Sequence, residues 1–416
     1  MIRQPPSFVA EKTSSSQIGV EDFWWRDFCL FGLSVVFPSI AIFKKVGWVP
    51  LAGYVFVAMS GLYILLRHVL PAIASKLSGR FCGGMAVASF VLLATALYWV
   101  YPQVLNSHGF RLFGIQFGVS DSNDAFVATW KAMFDGKYPY YETSFLGNPI
   151  SPMPGALLIA LPFYVLGWTA LQNIVWLVIL WMAMGRHFRD YRLASVMMLT
   201  VMGMCPNLVY TVLQAGDYMT NSIYVLVTSL FFLRAIQRRQ SSKWLLFGAA
   251  AALGLALSSR ANYFLLLPVL FFVVVWLRGF WSAAKHLAVV LAILALVTLP
   301  FYLYDPAHFS PLHTTGKMDL GGRFPHAAEV VFFSGCLLAS ALGFFQRGFR
   351  SLESVCARMF VVQEFAVLSG FILASLASRR PALDYAHFAL LSMFFGVFAF
   401  GAGLFRRALV PSAVHL

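Results

Sequence analysis

The stretch PMPGALLIALPFYVLG, residues 152–167, decides how this chain crosses a membrane. It is apolar enough to enter a bilayer, but it is short, because a transmembrane helix needs about 20 residues. Pro152, Pro154 and Pro162 also interrupt it. Since one crossing more or less reverses the side of every later loop, the rest of the topology depends on this segment.

The composition predicts an α-helical membrane protein with many spans. Of 416 residues, 60% are hydrophobic and 11% are charged, and the mean hydropathy is +0.76. Soluble domains carry about 25% charged residues. Only helices and closed barrels satisfy their backbone polar groups inside lipid, and these apolar runs lack the period-two alternation of barrel strands.

We predict an all-α, polytopic integral membrane protein with about twelve transmembrane helices. The predicted spans are residues 27–43, 47–66, 82–104, 169–185, 193–213, 218–236, 243–258, 261–277, 286–304, 329–346, 355–377 and 382–405.

The positive-inside rule places residues 152–167 outside the membrane core. Basic side chains form five clusters: Arg67, Lys76 and Arg80; Arg186, Arg189 and Arg192; Arg234, Arg238, Arg239 and Lys243; Arg347, Arg350 and Arg358; Arg406 and Arg407. All five lie on the cytoplasmic side only if 152–167 does not cross. We therefore predict a juxtamembrane helix in a long outer loop, 105–168, with both termini cytoplasmic.

Several classes of function are disfavoured. The net charge of +14 comes mainly from short loops between apolar runs, so no nucleic-acid partner is predicted. The five cysteines lie in or beside apolar segments without a CxxC pair, so no metal site or disulfide framework is expected. The N-terminus has no apolar region close behind a basic start, so no cleavable signal peptide is predicted.

Asp121 and Asp124 stand out in the outer loop, in the stretch DSNDAFVATWKAMFDGKYPYY at 121–141. If SNDAFVATWKAMF is helical, the two carboxylates share its first turn, where Asp121 or Ser122 could serve as the N-cap. Alternatively, one carboxylate is a general base in a cleft beneath the loop. The residues alone leave both readings open.

Other polar residues fall on the same predicted face. Arg260 lies between two closely joined apolar spans, as a snorkelling anchor or a phosphate ligand. The polar residues that begin the 218–236 span are Gln214, Asp217 and Asn221. The basic residues of the loop 305–328 are His308, His313, Lys317, Arg323 and His326. Their spacing matches no strong metal motif, and they suit lipid phosphate or plain solvation.

The order of these features resembles the GT-C superfamily of membrane glycosyltransferases, in particular bacterial mannosyl- and arabinofuranosyltransferases that use polyprenyl-phosphate sugars. The resemblance covers roughly residues 82–300. It rests on an aspartate followed by Gly-Lys-Tyr-Pro-Tyr (136–140), then Gly-Asn-Pro (147–149) and Ser-Pro-Met-Pro-Gly (151–155). Met153 interrupts the expected proline pair, and Gly216-Asp217 replaces the usual Gly-Gln.

The resemblance implies transfer of a sugar from a polyprenyl-phosphate donor to a lipid or glycan acceptor at the outer face of the cell membrane. No cofactor is predicted and no metal ligands are assigned, and the sequence leaves open whether a metal assists. The resemblance makes Asp121 or Asp124 the base, and Arg260, Lys317 and Arg323 the donor-phosphate ligands. Possible substrate-binding residues are Tyr138, Tyr140, Gln214, Asp217, Asn221 and His313.

The chain divides accordingly into three segments. Residues 1–80 hold a cytoplasmic segment and two helices, 81–304 the catalytic transmembrane module, and 305–416 an outer loop and the last helices. A transporter or flippase of a lipid-linked or anionic substrate is the alternative, for which Glu364 and Arg358 are the charges within a span. A ligase-like or polymerase enzyme with the same donor is a third reading.

Overall fold

The computed structural model describes residues 18–106, 110–112, 115–117, 120–238, 240–313, 323–345 and 351–409. Within these ranges, extended structure is limited to one antiparallel hairpin and an isolated bridge between Thr143 and Pro149. The hairpin pairs β1 (Phe110–Leu112) with β2 (Ile115–Phe117). The remaining elements are helices.

The described residues of the first half of the chain form seven α-helices and several short helical turns. The α-helices are α1 (Ile18–Val36), α2 (Ile40–Phe43), α3 (Trp48–Ile64), α4 (Leu70–Ile73), α5 (Gly79–Asn106), α6 (Ser122–Phe134) and α7 (Pro154–Val165). Short 3-10 helices cover Phe37–Ser39, Pro139–Tyr141 and Thr169–Leu171, and one π-helical turn covers Leu65–Val69.

Eleven more α-helices lie in the described residues of the second half. They are α8 (Gln172–Phe188), α9 (Tyr191–Met204), α10 (Pro206–Leu213), α11 (Tyr218–Gln237), α12 (Lys243–Leu257), α13 (Leu267–Arg278), α14 (Phe280–Tyr304), α15 (Ser310–His313), α16 (Ala327–Phe344), α17 (Leu352–Ser378) and α18 (Met393–Leu409). Two 3-10 helices, Ala261–Leu266 and Leu383–Leu391, precede α13 and α18.

The helix lengths confirm an all-α, polytopic membrane protein. In the described part of the chain, nine helical segments are long and apolar enough to cross a bilayer. Two bent pairs, α9–α10 and Leu383–Leu391 with α18, raise the number to at most eleven. The predicted span 243–258 corresponds to α12, which has only 15 residues and is short for a crossing.

The break between α9 and α10 follows from Pro206. Proline lacks the N–H that a continuous helix needs, and it forces the preceding residue out of the helical region. Cys205 accordingly has φ −114° and ψ 80°, and the two helices meet at 83°. The predicted single span 193–213 is therefore two shorter helices.

Contacts between distant parts of the chain show which helix ends lie together at each end of the bundle. The end that contains Asp121 is called the Asp121 end. It includes the turn before α3, where Lys44 pairs with Asp384. It also includes the turn before α11, where the Gly216 carbonyl accepts from Asn173 at 3.0 Å.

The other set is called the Glu353 end. There the Arg192 guanidinium donates to the carbonyls of Ala74 and Leu409, at 2.6 and 3.3 Å. His187 lies 3.0 Å from the Glu353 carboxylate. These contacts join α4, α8, α9, α17 and α18 at one end, as alternating passes of the chain require.

Basic side chains are concentrated at the Glu353 end, whereas the Asp121 end carries charges of both signs, including the basic Lys44, Lys45, Arg260, Arg379 and Arg380. The basic side chains of the Glu353 end include Lys76, Arg80, Arg186, Arg189, Arg192, Arg234, Arg238, Lys243, Arg278, Arg406 and Arg407. The acidic side chains of the Asp121 end include Asp121, Asp124, Asp135, Glu142, Asp217, Asp305, Glu329 and Asp384. The five predicted basic clusters, where described, therefore lie at or toward one end of the bundle.

Two apolar cores hold the fold together. The larger runs from Trp24 to Leu409, so the N-terminal and C-terminal segments share it. The smaller lies at the Asp121 end, where α6 and α7 pack together through Phe126, Trp130 and Leu157. The Trp130 indole also donates to the Leu157 carbonyl at 3.1 Å, which fixes α6 on α7.

Candidate functional site

A cavity of about 330 Å³ opens at the Asp121 end of the bundle. It lies between α6, the loop before α7, the Arg260 turn, α17 and the segment Leu383–Leu391. Its polar lining consists of Asp121, Asn148, Ser151, Tyr218, Arg260, Asn262, Gln363 and Tyr385. The structure thus brings together the aspartate and the arginine that the sequence singled out.

Asp121 faces this cavity with one carboxylate oxygen anchored. Its Oδ2 accepts the Ser144 hydroxyl at 2.6 Å and the Asn148 side-chain amide at 2.8 Å. No hydrogen bond from the described residues reaches Oδ1. The anchored oxygen fixes the orientation of the carboxylate, and the second oxygen is left to accept a proton from a bound molecule.

Asp124 has a different role. Its Oδ2 accepts the backbone N–H of Phe145 at 2.7 Å, and Asp124 is not part of the cavity lining. Neither carboxylate caps α6, because Asp121 occupies the N-cap position without a side-chain cap bond. Asp121 therefore stands at the predicted N-cap position, but its carboxylate contacts Ser144 and Asn148 instead of capping the helix, and Asp124 holds the loop that carries those two residues.

That loop, residues 142–149, turns back sharply onto α6. Ser144 N–H donates to the Asn148 carbonyl at 2.9 Å, and the Ser144 carbonyl accepts from Gly147 at 2.7 Å. Gly147 has φ +74°, a conformation that glycine adopts without a steric cost. The turn places both Ser144 and Asn148 within reach of Asp121.

Helix α7 brings this loop close to the Arg260 turn. Met153 N–H donates to the Ser259 carbonyl at 3.1 Å, and Gly155 N–H donates to the Ser258 carbonyl at 3.0 Å. A Cβ at Gly155 would lie 2.3 Å from the Leu255 carbonyl oxygen. The backbones can approach this closely only because residue 155 is glycine.

Arg260 is paired with Asp217. Its Nη2 donates to both carboxylate oxygens of Asp217, at 2.8 and 2.6 Å, and Asp217 also accepts from Asn221 at 2.9 Å. The Tyr224 hydroxyl donates to Asn221 in turn. Burial lowers the pKa of the guanidinium, but the Asp217 carboxylate overcomes this and holds the pKa above its ordinary value.

Part of the Arg260 guanidinium remains available. Neither Nη1 nor Nε has a hydrogen-bond partner among the described residues, and Arg260 lines the cavity. The guanidinium also lies 4.5 Å over the Tyr218 ring, which limits its movement. It is therefore a fixed donor whose charge is partly balanced by Asp217.

Tyr138 and Tyr140 pack in the loop and do not line the cavity. The Tyr138 hydroxyl donates to the Phe301 carbonyl at 2.7 Å, and the Tyr140 hydroxyl donates to the Pro152 carbonyl at 3.1 Å. Burial raises the pKa of Tyr138 to about 12 and that of Tyr140 well above its ordinary value. These contacts fasten the loop to α14 and to the start of α7.

The other predicted site residues lie outside the cavity lining. Gln214 is buried at the end of α10. Asp217 accepts from Arg260, and Asn221 donates to Asp217. Arg323 donates to the Ala377 carbonyl at the end of α17. Lys317 and the His313 side chain lie outside the described residues.

Six polar residues of the cavity were not predicted as site residues: Asn148, Ser151, Tyr218, Asn262, Gln363 and Tyr385. Asn262 follows Arg260 by two residues, and Gln363 directly precedes Glu364, so both stand beside charges that were noted. Within the described ranges, no group of three or more His, Cys, Asp or Glu side chains is arranged to hold a metal ion.

Comparison with protein-family models, with curated proteins and with solved structures gave no match to this chain.

Proposed function

We propose that this protein is a membrane glycosyltransferase that moves a sugar from a polyprenyl-phosphate donor to a lipid or glycan acceptor. The observation that carries the proposal is that Asp121 and Arg260 line the same cavity. A proton acceptor and a phosphate ligand are the two groups that a displacement at a sugar phosphate requires. The resemblance to GT-C enzymes agrees with this pair.

The proposed reaction is a direct displacement at the anomeric carbon. The acceptor oxygen forms a bond to that carbon while its proton passes to Asp121 Oδ1. The bond from the anomeric carbon to the phosphate oxygen breaks, and polyprenyl phosphate leaves with the electron pair. Arg260 stabilises the charge of the leaving phosphate, and the product sugar carries the inverted configuration.

The far wall of the cavity supports a lipid-linked donor. It is formed by Ala366, Val367 and Gly370 of α17, with Phe388 and Leu391 of the following segment. These side chains have no hydrogen-bonding groups, so they suit a hydrocarbon chain better than a free nucleotide sugar. Membrane lipids are the surroundings from which such a donor would enter.

The distribution of charge supports an active site on the non-cytoplasmic side of the cell membrane. Lys and Arg concentrate in cytoplasmic loops of membrane proteins. The Glu353 end is the strongly basic one, and the cavity opens at the other end.

Transport of a lipid-linked or anionic substrate is a second candidate, favoured by two observations. Glu364 is buried within α17, and intramembrane carboxylates are frequent in transporters. In the described part of the chain, two helix pairs are bent, by 83° and by 69°, as in transporters with discontinuous helices. Transport would leave the bond between the sugar and the phosphate intact, so the products distinguish the two candidates.

The test uses the full-length protein in lipid nanodiscs. Undecaprenyl-phosphate mannose, undecaprenyl-phosphate glucose and decaprenyl-phosphate arabinose are supplied with envelope lipids and glycans from a deletion strain. Mass spectrometry measures the polyprenyl phosphate released. We expect release from at least one donor and a loss of about 100-fold or more in Asp121→Asn.

Asp135→Asn is the matched control, because Asp135 is exposed at the C-terminal end of α6 and does not line the cavity. It should match the wild-type protein. Absence of release from every donor would contradict the proposed function, and an Asp121→Asn variant as active as Asp135→Asn would remove the base assignment.

A further inference from the structure

Two side-chain amides, Asn262 and Gln363, meet in the cavity. The Asn262 amide donates to Gln363 Oε1 at 2.6 Å, and the Gln363 amide donates back to the Asn262 backbone carbonyl at 3.1 Å. Gln363 is 1% exposed and belongs to α17. The reciprocal bonds fix both amide planes, so neither side chain is a freely rotating surface group.

The pair retains hydrogen-bonding capacity that the protein does not use. A primary amide has two donors and an acceptor with two lone pairs. Among the described residues, Asn262 Oδ1 has no partner, and each amide nitrogen uses one of its two hydrogens. Asn262 is half-buried and lines the cavity, so its free oxygen can accept a hydrogen bond from a polar ligand there.

The position of the pair specifies which part of a ligand it meets. Asn262 follows Arg260 by two residues, and both line the cavity, whereas the next residues along α17 on the cavity are Ala366, Val367 and Gly370. The polar amides therefore lie between the guanidinium and an apolar wall. A group adjacent to a phosphate, and rich in hydroxyls, matches this position.

We infer that Asn262 is a specificity-determining residue that recognises hydroxyl groups of the donor sugar by hydrogen bonds, and that Gln363 is its positioning residue. A hydroxyl offers a donor and two acceptor sites, and the free Asn262 Oδ1 and N–H complement two such groups on neighbouring carbons. This inference rests on the proposed function. It adds that the enzyme selects a sugar with free hydroxyls at those positions.

The experiment measures sugar recognition separately from lipid binding. Native mass spectrometry of the nanodisc-embedded protein gives the affinity for undecaprenyl phosphate and for the preferred polyprenyl-phosphate sugar of the panel. Single-deoxy analogues of that sugar are then compared as donors. The variants are Asn262→Ala, Asn262→Ser and Gln363→Ala, with Gln240→Ala as control, because Gln240 is exposed at the Glu353 end.

We expect the wild-type protein to bind the sugar-bearing donor more tightly than undecaprenyl phosphate and to discriminate against at least one deoxy analogue. Asn262→Ala should lose about two- to tenfold in affinity for the sugar-bearing donor for each hydrogen bond removed. It should also lose the discrimination against the deoxy analogue. Its affinity for undecaprenyl phosphate should not change. Gln363→Ala should weaken the discrimination in the same direction, and Gln240→Ala should behave as wild type.

Three results would overturn the inference. Retained discrimination in folded Asn262→Ala or Asn262→Ser would remove Asn262 as the specificity residue while leaving the transferase function intact. An equal loss of undecaprenyl phosphate binding would indicate a structural role only. If the wild-type protein releases polyprenyl phosphate from no donor, the proposed function fails and this inference fails with it.

Discussion

Arg260 and Asp217 form a buried ion pair in which one guanidinium nitrogen contacts both carboxylate oxygens, at 2.8 and 2.6 Å. The Asp217 side chain is 1% exposed and that of Arg260 is 13% exposed. The pair joins the turn before α11 to the turn after α12, 43 residues apart. It therefore fixes the cavity wall and the orientation of the free Arg260 nitrogens together.

Removal of one partner of this pair should destabilise the protein more than removal of both. Asp217→Ala leaves the Arg260 charge buried without compensation, which costs about 3–5 kcal/mol of unfolding free energy. The double variant Asp217→Leu/Arg260→Met should recover much of that loss, because apolar replacements of buried pairs are often neutral. Chemical unfolding in mixed micelles measures the unfolding free energies of the single and the double variant.

The double variant should nevertheless remain inactive in the release of polyprenyl phosphate, since no phosphate ligand is left. An active double variant would show that Arg260 has only a structural role. A single Asp217→Ala variant as stable as the wild type would show that the pair does not hold the two turns.

Asp124 and Asp121 should respond differently to the same chemical change. In Asp124→Asn the amide oxygen can still accept the Phe145 N–H, so we expect activity within a few-fold of wild type. Asp124→Ala removes that acceptor, loosens the loop 142–149 and should lower activity further. Asp121→Asn keeps acceptor capacity toward Ser144 but removes the base, and it should be the most damaging amide substitution.

Limited proteolysis of the 142–149 loop provides the matching structural readout. Cleavage should increase in Asp124→Ala and stay unchanged in Asp124→Asn. If Asp124→Asn were inactive with an intact loop, Asp124 rather than Asp121 would be the better candidate for the base.

The sequence predicted the helical segments and the importance of the 121–141 stretch, because apolar runs and a polar interruption are local patterns. It left Asp121 and Asp124 undistinguished. The two carboxylates differ in their partners, which are Ser144 and Asn148 for Asp121 and Phe145 for Asp124. These partners follow more than twenty residues later and return to α6 through a turn. No local spacing encodes such a return.

The partners of the site were equally hidden. Asp217 was predicted as a possible substrate-binding residue and Arg260 as a phosphate ligand, but their pairing depends on how α11 packs beside α12. Gln363 lies within an apolar span, where its contact with Asn262 across 101 residues has no sequence signal. The partners of Arg260 and Asn262 are therefore set by tertiary contacts between distant segments, which composition and periodicity do not show.

Gly155 should tolerate no larger residue. In Gly155→Ala the new Cβ would lie 2.1 Å from Ser258 Oγ and 2.3 Å from the Leu255 carbonyl oxygen, so helix α7 must move away. Overpacking of this kind costs about 1–3 kcal/mol. We expect a lower thermal midpoint and reduced activity, since α7 carries the Asp121 loop toward Arg260.

Gly83→Ala is the control for this substitution. Gly83 lies within α5, and a Cβ there would meet nothing within 4 Å. The replacement should be neutral or stabilising by up to about 1 kcal/mol, from helix propensity alone. Equal thermal midpoints for the two variants would contradict the close approach of α7 to the Ser258 turn.

Glu364 joins α17 to the short turn before α18. Its Oε1 accepts the Ser392 hydroxyl, which also lies 2.8 Å from the Ala389 carbonyl. Glu364 Oε2 is buried without a partner, and no basic side chain in the described part of the chain pairs with it.

Glu364→Gln should fold with a stability within about 1 kcal/mol of wild type, because its amide oxygen can still accept the Ser392 hydroxyl. Glu364→Ala removes this acceptor and should be less stable than Glu364→Gln. Chemical unfolding in mixed micelles measures both stabilities, with Glu329→Gln as the control because Glu329 is exposed. Equal stabilities of Glu364→Gln and Glu364→Ala would show that the contact with Ser392 does not hold α17 in place.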